Sequence, residues 1–186
     1  MRIELDDVSQ LLFSENLTNI ESPVSKTLII KYFEEKVADG KMEAKYFIYM
    51  ALSLLDGDTQ ELESVINYLL SMTSKIVYCN SVYEAQQQMS QQIFLAIMKL
   101  YIRNEENIGY CNMLKPWMVQ FGTNNECLIA LVNMWQGLTP EFEGSEIEFQ
   151  TETCWNIINQ VVGSDSFTMD FKLKLFEKYK DQGDTD

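Results

Sequence analysis

From Ser22 onward, apolar residues recur at three- and four-residue spacing in segments separated by only a few positions, and period-two alternation is almost absent. The stretch "SPVSKTLIIKYFEEKVADG" offers Ser22 as N-cap, Pro23 at the first helical position and Gly40 just past the end, with Val24, Leu28, Tyr32 and Phe33 in helical register. The next helix, "KMEAKYFIYMALSLLDG", closes at Asp56-Gly57. Asp58 then stands three residues before Glu61, ahead of Leu62, Val65, Ile66, Leu69 and Leu70, which predicts a capping box opening an amphipathic helix. Ser81 and Glu84 repeat the device before Val82–Arg103, and Thr123 and Glu126 before "CLIALVNMW", which stops at Gly137.

Between those two segments, "ENIGYCNMLKPWMVQFG" predicts a helix ending at Gly122 and kinked or restarted at Pro116, where no N–H is available. A helix ending at Gly163 and a final one in "DSFTMDFKLKLFEKYKDQG" complete eight helices after a less regular segment 1–21, with an acidic tail over 182–186. Short connections favour sequential antiparallel neighbours. The expected fold is therefore all-α: one domain over 1–186, built as an irregular α-solenoid or a helical bundle. The helix Val82–Arg103 starts Gln-rich and ends nearly all apolar in "IFLAIMKLYI", which predicts a central position for its second half.

Composition removes several chemistries. The chain has 186 residues and no histidine, which excludes Ser-His-Asp and Cys-His activation as well as HExxH zinc sites. Its eight glycines form neither GxGxxG nor a Walker A loop, and the acids lack EF-hand spacing. Cys79, Cys111, Cys127 and Cys154 contain no CxxC pair, so free and mostly buried thiols are expected, with no metal and no cofactor. The start, "MRIELDDVSQLLF", carries acids where a signal peptide is apolar, and the longest apolar run is Tyr46–Leu55; a cytoplasmic protein is expected.

Charge is the remaining signal. With 28 acids against 14 bases the net charge is −14, which disfavours direct nucleic-acid binding and anionic membranes and favours a basic protein partner. Between Lys115 and Lys172 there is no base, while Glu126, Glu141, Glu143, Glu146, Glu148, Glu152, Asp165 and Asp170 contribute −8. Ser145 with Glu148 reads as a capping box, so Glu146 and Glu148 are explained by a first helical turn. From there Ile147, Thr151, Cys154, Trp155, Ile158, Val161 and Val162 form an inward stripe, and Phe149 falls opposite it beside Glu152 and Asn156. An exposed aromatic ringed by carboxylates and amides has the composition of a binding anchor. The candidate partner-binding set is Glu141, Phe142, Glu143, Glu148, Phe149, Glu152 and Asn156. A second base-free span, Tyr46–Ser74, adds the acidic patch Asp56, Asp58, Glu61 and Glu63.

Small, strongly acidic and free of catalytic motifs, the chain resembles bacterial toxin-immunity proteins in overall character. The resemblance implies a non-enzymatic inhibitor or antitoxin whose acidic surface covers a basic partner such as a nuclease toxin. It rests on character alone and nominates no residues. The alternative is a helical adaptor, similar to a secretion chaperone, that holds a peptide segment in a groove between helices.

Overall fold

The computed structural model describes residues 5–57, 61–136, 147 and 149–180. The fold is all-α, with nine helices among the described residues: α1 (Asp7–Asn16), α2 (Pro23–Ala38), α3 (Ala44–Asp56), α4 (Glu63–Tyr78), α5 (Tyr83–Arg103), α6 (Ile108–Phe121), α7 (Asn125–Trp135), α8 (Thr151–Gly163) and α9 (Met169–Tyr179). A 3-10 turn, Leu17–Asn19, joins α1 to the segment before α2. The span read as one domain packs as two compact units, Met1–Leu114 and Lys115–Asp186, and α6 runs through the boundary.

In the first unit, α2 lies along α4 and α3 along α5, and these next-but-one pairings are the most extensive among the described residues. Successive helices alternate between two layers, α2 with α4 and α3 with α5, which is the stacking of an α-solenoid. Both ends of α2 follow the sequence. The Ser25 N–H donates to Ser22 Oγ at 3.3 Å, and Gly40 takes φ 69°, a left-handed conformation that glycine adopts without strain and that closes the helix. The inward face differs from the predicted register. Ile29, Ile30, Tyr32 and Phe33 are buried, whereas Val24 and Leu28 are exposed. α2 is apolar over more than one stripe, and the stripe that meets α3 and α4 is the one that is enclosed.

The layers meet over Phe47, Ala51, Leu54 and Leu55 of α3, Val65, Ile66, Leu69 and Leu70 of α4, and Ile93, Phe94 and Ile97 of α5, all within 2% of complete burial. Each such large apolar side chain contributes roughly 1.5–3 kcal/mol. The second half of α5 is only partly enclosed, since Leu95 remains 47% exposed.

In the second unit, α8 packs on α7 and α9. Trp135 is buried with its ring 4.4 Å from that of Tyr179, and Ile157, Ile158 and Val161 of α8 are buried as well. Gln160 Nε2 donates to the Val119 carbonyl at 3.2 Å, and Ser164 Oγ donates to Asn125 Oδ1 at 2.9 Å. α6 is continuous across Pro116 and does not restart there.

Several caps sit elsewhere than predicted. α5 begins at Tyr83 and Ser81 makes no cap; Asn80 Oδ1 instead accepts from the Val82 N–H at 3.0 Å. α7 is capped by Asn124, not Thr123, through the Cys127 N–H at 2.8 Å. In both places an asparagine beside the expected residue reaches the free amide of the turn. α4 begins at Glu63 with Leu62 before it and no side-chain cap, and α8 begins at Thr151 with Gln150 before it and no side-chain cap. Thr168 caps α9, its side chain accepting from the Phe171 N–H.

Candidate protein-binding site

Of the main acidic set, Glu141, Phe142, Glu143 and Glu148 lie outside the described residues, as do Ser145 and Glu146. Phe149 corrects the helical register proposed for this stretch: it precedes α8, and its ring stands edge-on to Trp135 at 6.4 Å and 89°. It is half-buried, so it is not the free anchor expected of a residue on the outer face of a helix. Gln150, immediately before α8, is extended; the Ile147 N–H points at the Met134 carbonyl, and the Phe149 carbonyl accepts from Cys154 Sγ. The inward face of α8 is accordingly Cys154, Ile157, Ile158 and Val161; Trp155 is half-buried against Phe176, and Thr151 and Val162 are exposed. Glu152 and Asn156, one turn apart, are both exposed. Glu126, Asp165 and Asp170 are exposed as well.

The second patch is reorganised more thoroughly. Asp56 is exposed and pairs with Lys99 at 3.6 Å, while Asp58 lies outside the described residues. Glu61 leaves the surface: it is 8% exposed, and its carboxylate is held by Lys26 Nζ, itself buried and also directed at the Thr18 carbonyl at 3.4 Å. A buried ammonium needs a carboxylate, so Glu61 serves the interior and neither caps α4 nor faces solvent. Glu63 opens α4 and is exposed, and its Oε1 lies over Gly109, where a Cβ would stand 3.4 Å away.

Glu61, Leu62, Glu63, Ser64, Asn107 and Tyr110 line a cleft of about 510 Å³ between the N-termini of α4 and α6. Asn107 Oδ1 accepts from the Tyr110 N–H at 3.2 Å and so fixes the first turn of α6. Tyr110 is 1% exposed, and its hydroxyl has no hydrogen-bond partner among the described residues. Burial first, then the carboxylates of Glu61 and Glu63, push this phenol up to about 12, with Arg103 acting in the opposite sense. It therefore remains a neutral phenol near pH 7. Arg103 is engaged with the end of α3, donating to the carbonyls of Leu55 at 2.6 Å, Asp56 at 3.2 Å and Gly57 at 3.0 Å.

Sequence reasoning passed over Tyr110, Asn107 and Lys26. The signal for Lys26 was present, because Lys26, Ile30 and Phe33 share one helical stripe and a lysine there implies a buried counter-charge. Nothing local marks Tyr110, whose neighbours Glu61 and Glu63 are some fifty positions away in the chain.

A smaller groove of about 130 Å³ runs between α3 and α5, lined by Lys45, Ile48, Tyr49, Ala85, Gln88, Met89 and Gln92. Among the described residues no group of three acids or cysteines is placed to hold a metal ion, and no helix is long and apolar enough to cross a membrane. No family model, curated protein or solved structure matches this chain.

Proposed function

We propose that the protein is a non-enzymatic protein-binding inhibitor, of the immunity-protein or antitoxin kind, that neutralises a basic partner such as a nuclease toxin. The observation that carries this reading is the base-free run between Lys115 and Lys172, along which Glu126, Glu152, Asp165 and Asp170 all stand at the surface. Surface acids in such number serve solubility, but a run without interleaved bases also produces a one-signed field that accelerates encounter with a cationic surface. The all-helical scaffold is suited to presenting that surface.

The protein should be purified from its native cell at low salt and the bound material identified. A folded basic protein is expected, whose association rate with the pure chain, followed by stopped flow, falls steeply as salt rises. A neutral partner, or a salt-independent rate, would remove the charge argument. The second reading, a peptide-holding adaptor, is favoured by one feature: Tyr49, Gln88 and Gln92 are exposed along the α3–α5 groove, an aromatic and two amides suited to an extended backbone. A short extended peptide as the bound species would support it instead.

A further inference from the structure

We infer that the cleft between the N-termini of α4 and α6 binds a primary ammonium, the group that ends a lysine side chain, with Glu63 as counter-ion and the Tyr110 hydroxyl as hydrogen-bond partner at the floor. This deepens the reading of a basic partner by naming a group that partner would insert.

Acidic residues at a cleft are commonplace, and the independent observation is Tyr110. A phenolic oxygen shut away from solvent with no partner is rare in a folded protein, because the hydrogen bonds it makes with water when unfolded are forfeited. Tyr110 lines the cleft, and its hydroxyl feels the charges of Glu61, Glu63 and Arg103. Of the charged groups nearby, Glu61 is already matched by Lys26, and Arg103 is spent on the three carbonyls that end α3. Glu63 has no ion-pair partner among the described residues, so one positive charge completes the site.

One carboxylate and one single-oxygen phenol suit the separate donors of an ammonium better than the planar fork of a guanidinium, which pairs best with a bidentate acceptor. The phenol keeps its proton at neutral pH, and its oxygen can accept from the ammonium. Leu62 also lines the cleft and is 57% exposed, so its side chain is free to adjust as the cleft fills.

The test uses the full chain, labelled with nitrogen-15 and titrated with n-butylammonium chloride at constant ionic strength. Tetramethylammonium chloride, which has the charge but no N–H, is the control. Saturable shifts at the amides of Glu63, Ser64 and Tyr110 are expected with n-butylammonium. The loss of hydrogen bonds should weaken affinity by about fivefold or more for tetramethylammonium, for Glu63→Gln and for Tyr110→Phe. Glu63 is exposed, so Glu63→Gln tests the site even if Tyr110→Phe fails to fold. Shifts that are linear and alike for both cations, or unchanged in Glu63→Gln, overturn the inference. A basic partner still bound by a chain that shows no n-butylammonium site would leave the proposed function standing and place its contact elsewhere; a site that binds n-butylammonium in a chain with no basic partner would do the reverse.

Discussion

The pairing of Lys26 with Glu61 allows a sharp test of the first unit. The two residues are 5% and 8% exposed and lie 35 positions apart, tying α2 to the segment that leads into α4. Lys26→Met removes the cation and leaves a carboxylate enclosed without a partner, and Glu61→Leu strands the ammonium with only the Thr18 carbonyl. Each single change should cost about 3–5 kcal/mol, the usual result of leaving one buried charge uncompensated. The double variant removes both desolvation penalties together and should lie within about 1 kcal/mol of the parent or be more stable. The coupling read from the cycle is therefore several kcal/mol. The assay is chemical denaturation at pH 7 with two probes. Far-UV circular dichroism reports helices of both units, whereas the three tryptophans, Trp117, Trp135 and Trp155, all belong to the second unit. The main displacement should appear in the circular dichroism curve. Single variants that lose less than about 1 kcal/mol, or a double variant as unstable as the sum of the singles, would show that the two charges are solvated and independent.

Phe149→Ala should lower stability by about 2 kcal/mol, because a half-buried ring leaves the edge of Trp135, and Trp135 fluorescence should shift with it; unchanged stability would restore the exposed-anchor reading. Alkaline stability should decline in a defined window. Burial pushes the Cys127 thiol from 9.0 up to about 11, so the folded state holds a proton that the unfolded chain releases; stability is full below pH 9 and falls as pH rises toward 11, with Tyr110 extending the fall toward 12. A thermal midpoint that stays flat from pH 8.5 to about pH 11 would contradict that burial. Cys79 is exposed and the other three cysteines are buried, so a thiol reagent should modify one site rapidly in the native protein and the rest only on unfolding. Fast modification of more than one thiol would count against the packing of α6, α7 and α8.

Helix existence was legible in the sequence because it depends on local signals: Ser22 and Pro23 ahead of α2, Gly40 behind it, and eight periodic segments after residue 21 that correspond to α2 through α9. Helix faces were less legible. α2 carries apolar residues on more than one side, and only the positions of α3 and α4 decide that Ile29 and Ile30 go inward while Val24 and Leu28 stay out. Phe149 failed for a related reason: the period of α8 was extended backward past Thr151, where the helix begins, and a residue ahead of the helix does not follow its faces. Glu61 failed because a capping pattern and a buried ion pair look identical until the position of Lys26 is known. Tyr110 and Asn107 depend wholly on tertiary placement and had no local mark.

The passage of α6 through the boundary between the two units bears on how the protein can be divided. Severing the chain between Leu114 and Lys115 would leave the piece ending at Leu114 with the last four carbonyls of a helix lacking their donors, next to the buried side chains of Tyr110, Cys111 and Leu114. The piece beginning at Lys115 would instead place Pro116 in a first helical turn, where the missing N–H is harmless and the ring presets the backbone. Fragmentation is thus asymmetric: the carboxy-terminal portion inherits a ready-made start, and the amino-terminal portion must borrow residues to Phe121 before its own last helix can close.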